Sequence, residues 1–354
     1  MYSPFTLNIS PMERLLLINF EKDPDEIYIG FEPQWFDDAS YGTGLRIIAW
    51  REDGYIDVYQ QPDLTIEERL DVAAKGLADT IIIPLANARF NVTKSGIDVA
   101  FAFEDKLGRK VEVEIVEKSH KPRRPFSLLA PVGSSSSNPS YLPIYLMFKF
   151  DFVRRTNTDV TISINSRNHK ADTFPFPLNG SRVYYMRYSD DTFLVDWCPA
   201  QSSHALELLS GVGNKLYGPN DTFYELIEHQ SCLAFARIST SRKSHSFTAE
   251  FDPPFPELTH IADHMSFSGE FVLGSDESSG VVRGVYKVNR NGEEVEVTLN
   301  PSGGWEPRPE THFLRFLFSF TKIFRQWPKT YLWTAKINLS ENGPPIMESG
   351  WTRI

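Results

Sequence analysis

The sequence contains little cysteine. Its 354 residues include two cysteines, Cys198 and Cys232, which excludes a disulfide-rich scaffold and any zinc or iron–sulfur site built from several thiolates. A single bridge between them is one alternative. Two reduced, partly buried thiols are the other, and we favour it because an isolated cysteine in a protein core behaves as a small hydrophobic residue.

Basic side chains and long hydrophobic runs are also scarce. The chain carries 36 Lys and Arg against 46 Asp and Glu, a formal net charge of −10. Strong binding to a phosphate backbone needs clustered Lys and Arg, so we expect no nucleic-acid partner. No run of about 18 apolar residues occurs, and Met1–Ser10 lacks the basic and apolar regions of a secretion signal. We therefore expect no integral membrane segment and a cytoplasmic location.

The motifs of several common enzyme and metal-binding classes are missing. The sequence has no P-loop, no H-E-x-x-H, no G-x-S-x-G, no C-x-x-C, no kinase signature and no EF-hand loop. The one tight histidine pair, His260 and His264, follows a proline-rich stretch that disfavours the helix needed to bring both onto one metal ion. We therefore expect no cofactor and no metal site, and a capping or surface role for these histidines.

Alternation of apolar and polar residues is the strongest pattern that the chain does contain. A strand points successive side chains to opposite faces, so such runs predict antiparallel strands with one buried face. The clearest runs are 97–103, 111–115, 146–152, 160–164, 247–251, 265–268, 295–299 and 331–337. The dipeptides Asp53-Gly54 and Asn291-Gly292 tolerate the positive φ of tight hairpins. The sequence predicts an all-β fold of two antiparallel β-barrel or β-sandwich domains with a few short helices.

Three segments have helix-like spacing or composition. They are Ile66–Leu77, Ser203–Leu209 and Asp221–His229, and the last two flank a Gly- and Pro-containing break in the strand pattern. We place the domain boundary there. The predicted organisation is an N-terminal β-domain at 1–200, a helical connection at 201–230 and a C-terminal β-domain at 231–354.

The most suggestive group of polar residues lies between His169 and Trp197. A strand over 181–188 would place Tyr beside Arg on each face, together with Met186 on one face and Val183 on the other. Such a mixture can hold an apolar ligand body and fix one polar head group. The alternative is a set of amphipathic side chains at a rim, with Arg stacked on Tyr. The catalytic candidates are His169, Asp172, Tyr184 and Asp196, and the ligand-binding candidates are Arg182, Arg187, Tyr188 and Trp197.

The whole-chain layout resembles the tandem lipocalin-like group that includes AttH-type proteins and hydroxyneurosporene synthase. The shared features are overall length, two strand-rich halves, a short helix-bearing connection and an aromatic-rich second half. The resemblance is architectural and matches no catalytic motif, so it assigns no functional residue. It implies a pair of lipocalin-like domains that handle a hydrophobic small molecule, isoprenoid or polyketide-like, by binding, hydration or cyclisation.

The leading hypothesis is therefore binding of a hydrophobic small molecule, either alone or with cofactor-free acid–base conversion such as hydration, isomerisation or cyclisation. In the catalytic version Arg187 holds an anionic head group, Tyr184 donates a hydrogen bond, and Asp196 or His169 moves a proton. Two alternatives come from other classes. One is a carbohydrate-active β-sandwich, mutarotase- or lyase-like, that uses His260 or His264 with tryptophan platforms at 35 and 50. The other is a non-catalytic structural β-module.

Overall fold

The computed structural model describes most of the chain. The described residues are 1–66, 76–119, 123–131, 139–178, 180–229, 232–275, 279–309, 311–320, 326–339 and 343–354. They form two compact units that are both discontinuous in sequence. The inserted unit comprises Pro11–Ser127 and Met147–Thr192, and the terminal unit comprises Met1–Ser10, Leu128–Leu146 and Phe193–Ile354.

The inserted unit is built from antiparallel strands and one parallel pair, β5 with β6. Ten strands lie wholly within it: β2 (Met12–Asn19), β3 (Tyr28–Asp38), β4 (Gly42–Arg51), β5 (Tyr55–Gln60), β6 (Gly76–Ile82), β7 (Ala86–Val92), β8 (Ile97–Glu104), β9 (Lys110–Glu117), β12 (Thr158–Ile164) and β13 (Arg167–Asn168). The boundary between the units falls inside three more strands: β10 (Phe126–Ala130), β11 (Leu142–Arg154) and β14 (Val183–Trp197).

Two sheets of the inserted unit pack face to face as a β-sandwich. The larger has the order β10, β11, β14, β2, β3, β4, β5, β6, and the smaller has the order β13, β12, β9, β8, β7. Their facing side chains form one apolar core, to which Phe31 and Tyr188 contribute from the first sheet and Phe101 and Ile162 from the second. The predicted hairpin at Asp53-Gly54 joins β4 to β5 and is confirmed.

A buried ion pair lies within the inserted unit. The Arg154 guanidinium donates through Nε to Glu117 Oε1 at 2.5 Å, and the Arg154 backbone N–H donates to the same oxygen at 3.2 Å. A second guanidinium nitrogen donates to the Ser95 carbonyl. Burial raises the pKa of the Glu117 carboxyl, and the hydrogen bond and charge of Arg154 oppose that shift.

The terminal unit is dominated by an eleven-stranded antiparallel sheet. Its strands are β15 (Gln201–Ala205), β16 (Ser210–Val212), β17 (Lys215–Gly218), β18 (Thr222–His229), β19 (Cys232–Arg242), β20 (His245–Pro256), β21 (Ser266–Gly274), β22 (Val281–Asn291), β23 (Glu294–Glu306), β24 (Tyr331–Asn338) and β25 (Ile346–Arg353). The order is β15, β25, β24, β23, β22, β21, β20, β19, β18, β17, β16. In this unit β1 (Leu7–Ser10) pairs with the end of β14.

Aromatic side chains fill the core of the terminal unit. Phe5 is buried, and its ring centroid lies 4.7 Å from that of Phe255, 5.1 Å from that of Phe251 and 5.6 Å from that of Trp197. The ring centroid of Trp333 lies 6.0 Å from that of Phe5. Large aromatic rings bury much apolar area, so these side chains dominate the packing of the terminal unit.

The all-β prediction is confirmed, and its sandwich version fits better than its barrel version. In the described residues the end strands of each sheet do not pair with each other, so no sheet closes into a barrel. The hairpin at Asn291-Gly292 joins β22 to β23 as predicted. Both cysteines are free thiols, Cys198 buried and Cys232 exposed. No described helix is long and apolar enough to cross a membrane.

The helix predictions for the connection are wrong. Ser203–Leu209 overlaps β15, and Asp221–His229 coincides with β18. The side chains of β18 alternate between buried and less buried, and the strand pairs with β17 and β19, so tertiary pairing outweighs the helix propensity of Glu and Leu. The third prediction, Ile66–Leu77, falls mostly on 67–75, outside the described residues. Among the described residues, the helical elements are instead α1 (His312–Phe320) and a single 3-10 turn at Leu258–His260.

The compact units also divide the chain differently from the predicted domains at 1–200 and 231–354. Each unit draws on separated segments, because β10, β11 and β14 carry the chain across the boundary without a break in strand structure. A strand that continues across a boundary has no turn residue or change in composition there. The predicted connection at 201–230 belongs to the sheet of the terminal unit.

Candidate functional site

The eight residues predicted to form the site do not come together in one unit. His169, Asp172, Arg182, Tyr184, Arg187 and Tyr188 belong to the inserted unit, and Asp196 and Trp197 belong to the terminal unit. The structure gives each of them a local role.

His169 is a buried residue held by the backbone. Its Nδ1 lies 2.9 Å from the carbonyl oxygen of Asp23, and its ring packs against Phe20. A carbonyl can only accept, so Nδ1 carries the proton and donates. Its Nε2 is buried and has no hydrogen-bond partner among the described residues. These contacts fix the orientation of the imidazole ring within the inserted unit.

Asp172 organises a neighbouring loop. Its Oδ2 accepts from the backbone N–H of Glu21 at 2.9 Å, and its Oδ1 accepts from that of Lys22 at 3.3 Å. Its own carbonyl accepts from Tyr185 N at 2.7 Å. Both carboxylate oxygens are thus engaged with backbone donors, and the residue ties this loop to β14.

Replacing Asp172 with alanine should lower the free energy of unfolding by about 1–3 kcal/mol, because two backbone donors would lose their partner. Chemical denaturation measures this loss. Asp159, whose side chain is 83% exposed, supplies the matched control. Asp159→Ala should leave stability unchanged, and equal stability of both variants would contradict the organising role of Asp172.

Tyr184 and Tyr188 lie on the face of β14 that packs into the sandwich core, and Arg182 immediately precedes the strand. Tyr188 is fully buried in the core, and the Arg123 guanidinium lies 4.9 Å from its ring centroid. Burial raises the pKa of the Tyr188 hydroxyl far above its ordinary value. Tyr184 is half-buried and packs against the same core, while Arg182 is exposed. The predicted shared face of Tyr184 and Tyr188 is thus observed, as part of the core.

The two residues in the terminal unit also have structural surroundings. Trp197 is buried between Phe5 and Phe247, with ring centroids 5.6 Å away in each case. Asp196 is half-buried and lies opposite Asn8 in the pairing of β1 with β14. Trp197 therefore belongs to the aromatic core described above.

The residues of the carbohydrate alternative are dispersed. His260 is exposed and contacts Glu257 at 3.0 Å in the 3-10 turn, and His264 is exposed as well. Trp35 packs against the sandwich core, whereas Trp50 packs against the cluster on the other face of the same sheet. The two tryptophans therefore cannot form one sugar platform. In the described part of the chain no group of three or more His, Cys, Asp or Glu could hold a metal ion.

A different group of polar residues is buried on the face of the larger sheet that lies opposite the sandwich core. Gln34, Arg46 and Gln60 are directly opposite one another on β3, β4 and β5, and Glu32 is two residues before Gln34 on the same face. All four are no more than 6% exposed. Charged and amide groups this deeply buried need internal partners, so their hydrogen bonds define what the site can do.

These four residues lie beside apolar side chains. Ile48 is opposite Glu32, and together with Ile56 and Val58 it forms a small buried cluster against which Trp50 packs. We call this surface the polar face. It combines an aliphatic wall with a few fixed polar groups, which is the composition of most small-molecule sites.

A chain of three hydrogen bonds crosses the polar face. Gln34 Nε2 donates to Glu32 Oε1 at 2.7 Å, Arg46 Nε donates to Gln34 Oε1 at 2.8 Å, and Arg46 Nη1 donates to Tyr41 Oη at 2.7 Å. The Arg46 guanidinium also lies over the Phe36 ring, 4.8 Å from its centroid. The network therefore fixes Arg46 at two edges and one face.

The carboxyl of Glu32 is tuned to titrate near neutrality. Burial raises its pKa from 4.5 to about 7, while the Gln34 hydrogen bond, the charges of Arg46 and Arg187 and the Trp50 indole N–H act in the opposite direction. Burial is the largest of these influences, because desolvation penalises the charged form. A carboxylic acid with such a pKa can both give and take a proton at neutral pH.

Arg187 is the predicted site residue that shares an electrostatic environment with Glu32. It lies opposite Leu17 in the pairing of β14 with β2, and its Nη1 donates to Asn19 Oδ1 at 3.1 Å and to the Tyr185 carbonyl at 3.3 Å. Its guanidinium lies over the Tyr185 ring. Burial lowers the pKa of Arg187, and Glu32 opposes that shift.

Glu32, Gln34 and Arg46 are the residues that reasoning from sequence misses. Polar residues at alternate positions of a strand indicate a solvent-exposed face, and β3 has that pattern. The contrary signal is on its neighbours, since Ile48 and Val58 occupy the same face and are apolar. Polar groups amid such neighbours indicate a sheet buried on both faces.

Comparison with known proteins finds no matching family model, no matching curated protein and no matching solved structure. The resemblance to the tandem lipocalin-like group stays a prediction. The function therefore has to be argued from the residues of this chain.

Proposed function

We propose that the protein binds a hydrophobic small molecule on the polar face and converts it by cofactor-free acid–base chemistry, with Glu32 as the acid and base. The observation that carries the proposal is a buried carboxyl, hydrogen-bonded to the Gln34 amide beside an aliphatic wall, where burial raises its pKa to about 7. General acid–base catalysis is most efficient when the pKa of the group lies near the working pH. The environment of Glu32 satisfies that requirement.

The surroundings of Glu32 suit a ligand with an oxygen-bearing head group. Arg187 supplies a half-buried positive charge for an anionic oxygen, and Ile48, Ile56 and Val58 accommodate an apolar body. Glu32 gives a proton to one atom of the ligand and takes one from another, so the reaction class is isomerisation, cyclisation or, with water, hydration. We extend the proposal to a cytoplasmic location and to the absence of a nucleic-acid partner.

Substitution of Arg187 tests the binding half of this proposal. We expect saturable fluorescence enhancement of the anionic lipophilic probe anilinonaphthalene sulfonate, and we expect Arg187→Met to weaken its binding about tenfold, the size of one charge-assisted hydrogen bond. Arg182, exposed on the segment leading into β14, provides the matched control. Arg182→Met should change the affinity less than twofold.

Mass spectrometry of material extracted from the purified, denatured protein supplies an independent test. We expect a co-purified lipophilic molecule with an acidic oxygen, present in the wild type and depleted in Arg187→Met. Absence of any extracted molecule together with non-saturable probe fluorescence would contradict the proposal.

A further inference from the structure

The orientation of the Gln34 amide follows from its two partners. A guanidinium can only donate hydrogen bonds, so the Gln34 atom 2.8 Å from Arg46 Nε must be the amide oxygen. The amide nitrogen is therefore the atom 2.7 Å from Glu32 Oε1, and it donates. Arg46 thus determines which end of the Gln34 amide faces the Glu32 carboxyl.

The donor from Gln34 makes the two oxygens of Glu32 unequal. In a protonated carboxyl the carbonyl oxygen is the better acceptor, and Oε1 already accepts from Gln34. The proton then belongs on Oε2. If the amide turned over, its oxygen would face Oε1 and would favour a proton there instead.

Arg46 is held firmly enough to enforce this arrangement. Its Nη1 donates to Tyr41 Oη, and the Tyr41 ring is stacked on Phe36 with centroids 4.6 Å apart. The Arg46 guanidinium covers the same Phe36 ring. Rotating the Gln34 amide would break the bonds to Arg46 and Glu32 together, so the three polar side chains have one arrangement.

We infer that Gln34 and Arg46 are positioning residues that place the exchangeable proton of Glu32 on Oε2 and thereby make Oε2 the oxygen that exchanges protons with the ligand. Only the exchange of protons between Oε2 and a ligand rests on the proposed function. In the forward step the Oε2–H bond breaks and a new bond to hydrogen forms on the ligand. In the return step a proton from another ligand atom re-forms Oε2–H, so no oxidant or co-reactant is consumed.

The charged and polar groups around Glu32 come from three strands. Gln34 lies on β3, Arg46 and Trp50 on β4, and Arg187 on β14. Glu21 influences Arg187 from the loop after β2. All of the groups that act directly on Glu32 favour its charged form, so removing any one of them raises the pH at which Glu32 loses its proton.

An infrared titration of the protonated carboxyl tests the positioning role without any ligand. Its carbonyl band is assigned by its loss in Glu32→Gln, which is necessary because burial also raises the pKa of Glu117, Asp151 and Asp190. Gln34→Met removes a hydrogen bond to the charged form and should raise the midpoint by about one pH unit. If the Gln34→Met variant does not fold, Gln34→Asn serves as the substitute variant in the same titration.

Arg46→Lys separates orientation from charge. Lysine keeps the positive charge but lacks the planar Nε–H that fixes the amide, so we expect a midpoint raised by about as much as in Gln34→Met. The double variant that carries Gln34→Met and Arg46→Lys should show no further rise in the midpoint, because both changes break the same chain of hydrogen bonds. Gln60→Met is the matched control, since Gln60 donates to the carbonyls of Leu64 and Thr65 instead. It should leave the midpoint unchanged.

The possible results separate the two inferences. An unchanged midpoint in Gln34→Met would overturn the positioning role, and a shift there without one in Arg46→Lys would overturn the part of Arg46. Failure of the wild type to bind the fluorescent probe saturably would contradict the proposed function. If the Gln34→Met and Arg46→Lys variants still raised the midpoint of the Glu32 titration, the positioning role would stand.

Discussion

Arg154→Met should lower the free energy of unfolding by about 3–5 kcal/mol at pH 8, because it leaves the Glu117 carboxylate buried without its cation. Arg154 and Glu117 are both less than a tenth exposed and share a 2.5 Å hydrogen bond. Losing Arg154 raises the pKa of folded Glu117 further above its unfolded value. The loss of stability is therefore greatest at high pH and shrinks as the pH falls toward the unfolded pKa.

Urea denaturation at pH 8 and pH 5 measures both the size and the pH dependence of this effect. The matched control is Arg89, whose ion pairs with Asp98 at 2.7 Å and Glu114 at 2.6 Å are about one-third or more exposed. Arg89→Met should cost about 1 kcal/mol or less, since exposed ion pairs are screened by water. Equal losses in the Arg154 and Arg89 variants would contradict the importance of burial.

A double variant distinguishes loss of the partner from loss of packing. Replacing both Glu117 and Arg154 with methionine removes the two charges together, and a buried ion pair exchanged for apolar side chains is often neutral. We expect this variant to recover most of the stability lost in Arg154→Met. A double variant as unstable as the single one would show that packing of the arginine stem, rather than the orphaned carboxylate, causes the loss.

The strands could be predicted from the sequence because their signal is local. The alternation in 111–115 and the turn residues at Asp53-Gly54 act over a few residues, and each corresponds to an observed strand or hairpin. The failure at Asp221–His229 has the opposite cause. That segment contains good helix formers, and only its pairing with β17 and β19 makes it a strand.

The candidate site could not be predicted from proximity in the sequence. His169 and Asp172 have residue types that often carry chemistry, and both hold the loop between β2 and β3 in place. Glu32 and Arg46 come from adjacent strands, but Arg187 reaches the same environment from about 150 residues further along the chain. Strand order creates that proximity, and a single sequence does not specify strand order.

Glu32→Gln should make the protein more stable at pH 8 by about 3 kcal/mol. The pKa of Glu32 is 4.5 unperturbed and about 7 in the folded protein. The unfolded chain therefore releases this proton at lower pH than the folded protein, and folding becomes less favourable as the pH rises from about 4.5 to about 7. At pH values above 7, that difference in pKa lowers the free energy of unfolding by about 3 kcal/mol. Glutamine has no proton to lose and escapes the penalty.

The amide at this position can keep the hydrogen bond from Gln34, so the substitution removes the charge and little else. Urea denaturation should give a gain at pH 8 and little change at pH 5. Glu112→Gln, at a half-exposed position on β9, is the matched control and should change stability little at either pH. A Glu32→Gln protein that is less stable than the wild type at pH 8 would contradict the raised pKa. A gain in stability with loss of ligand conversion is what a group retained for chemistry at a cost in stability should show.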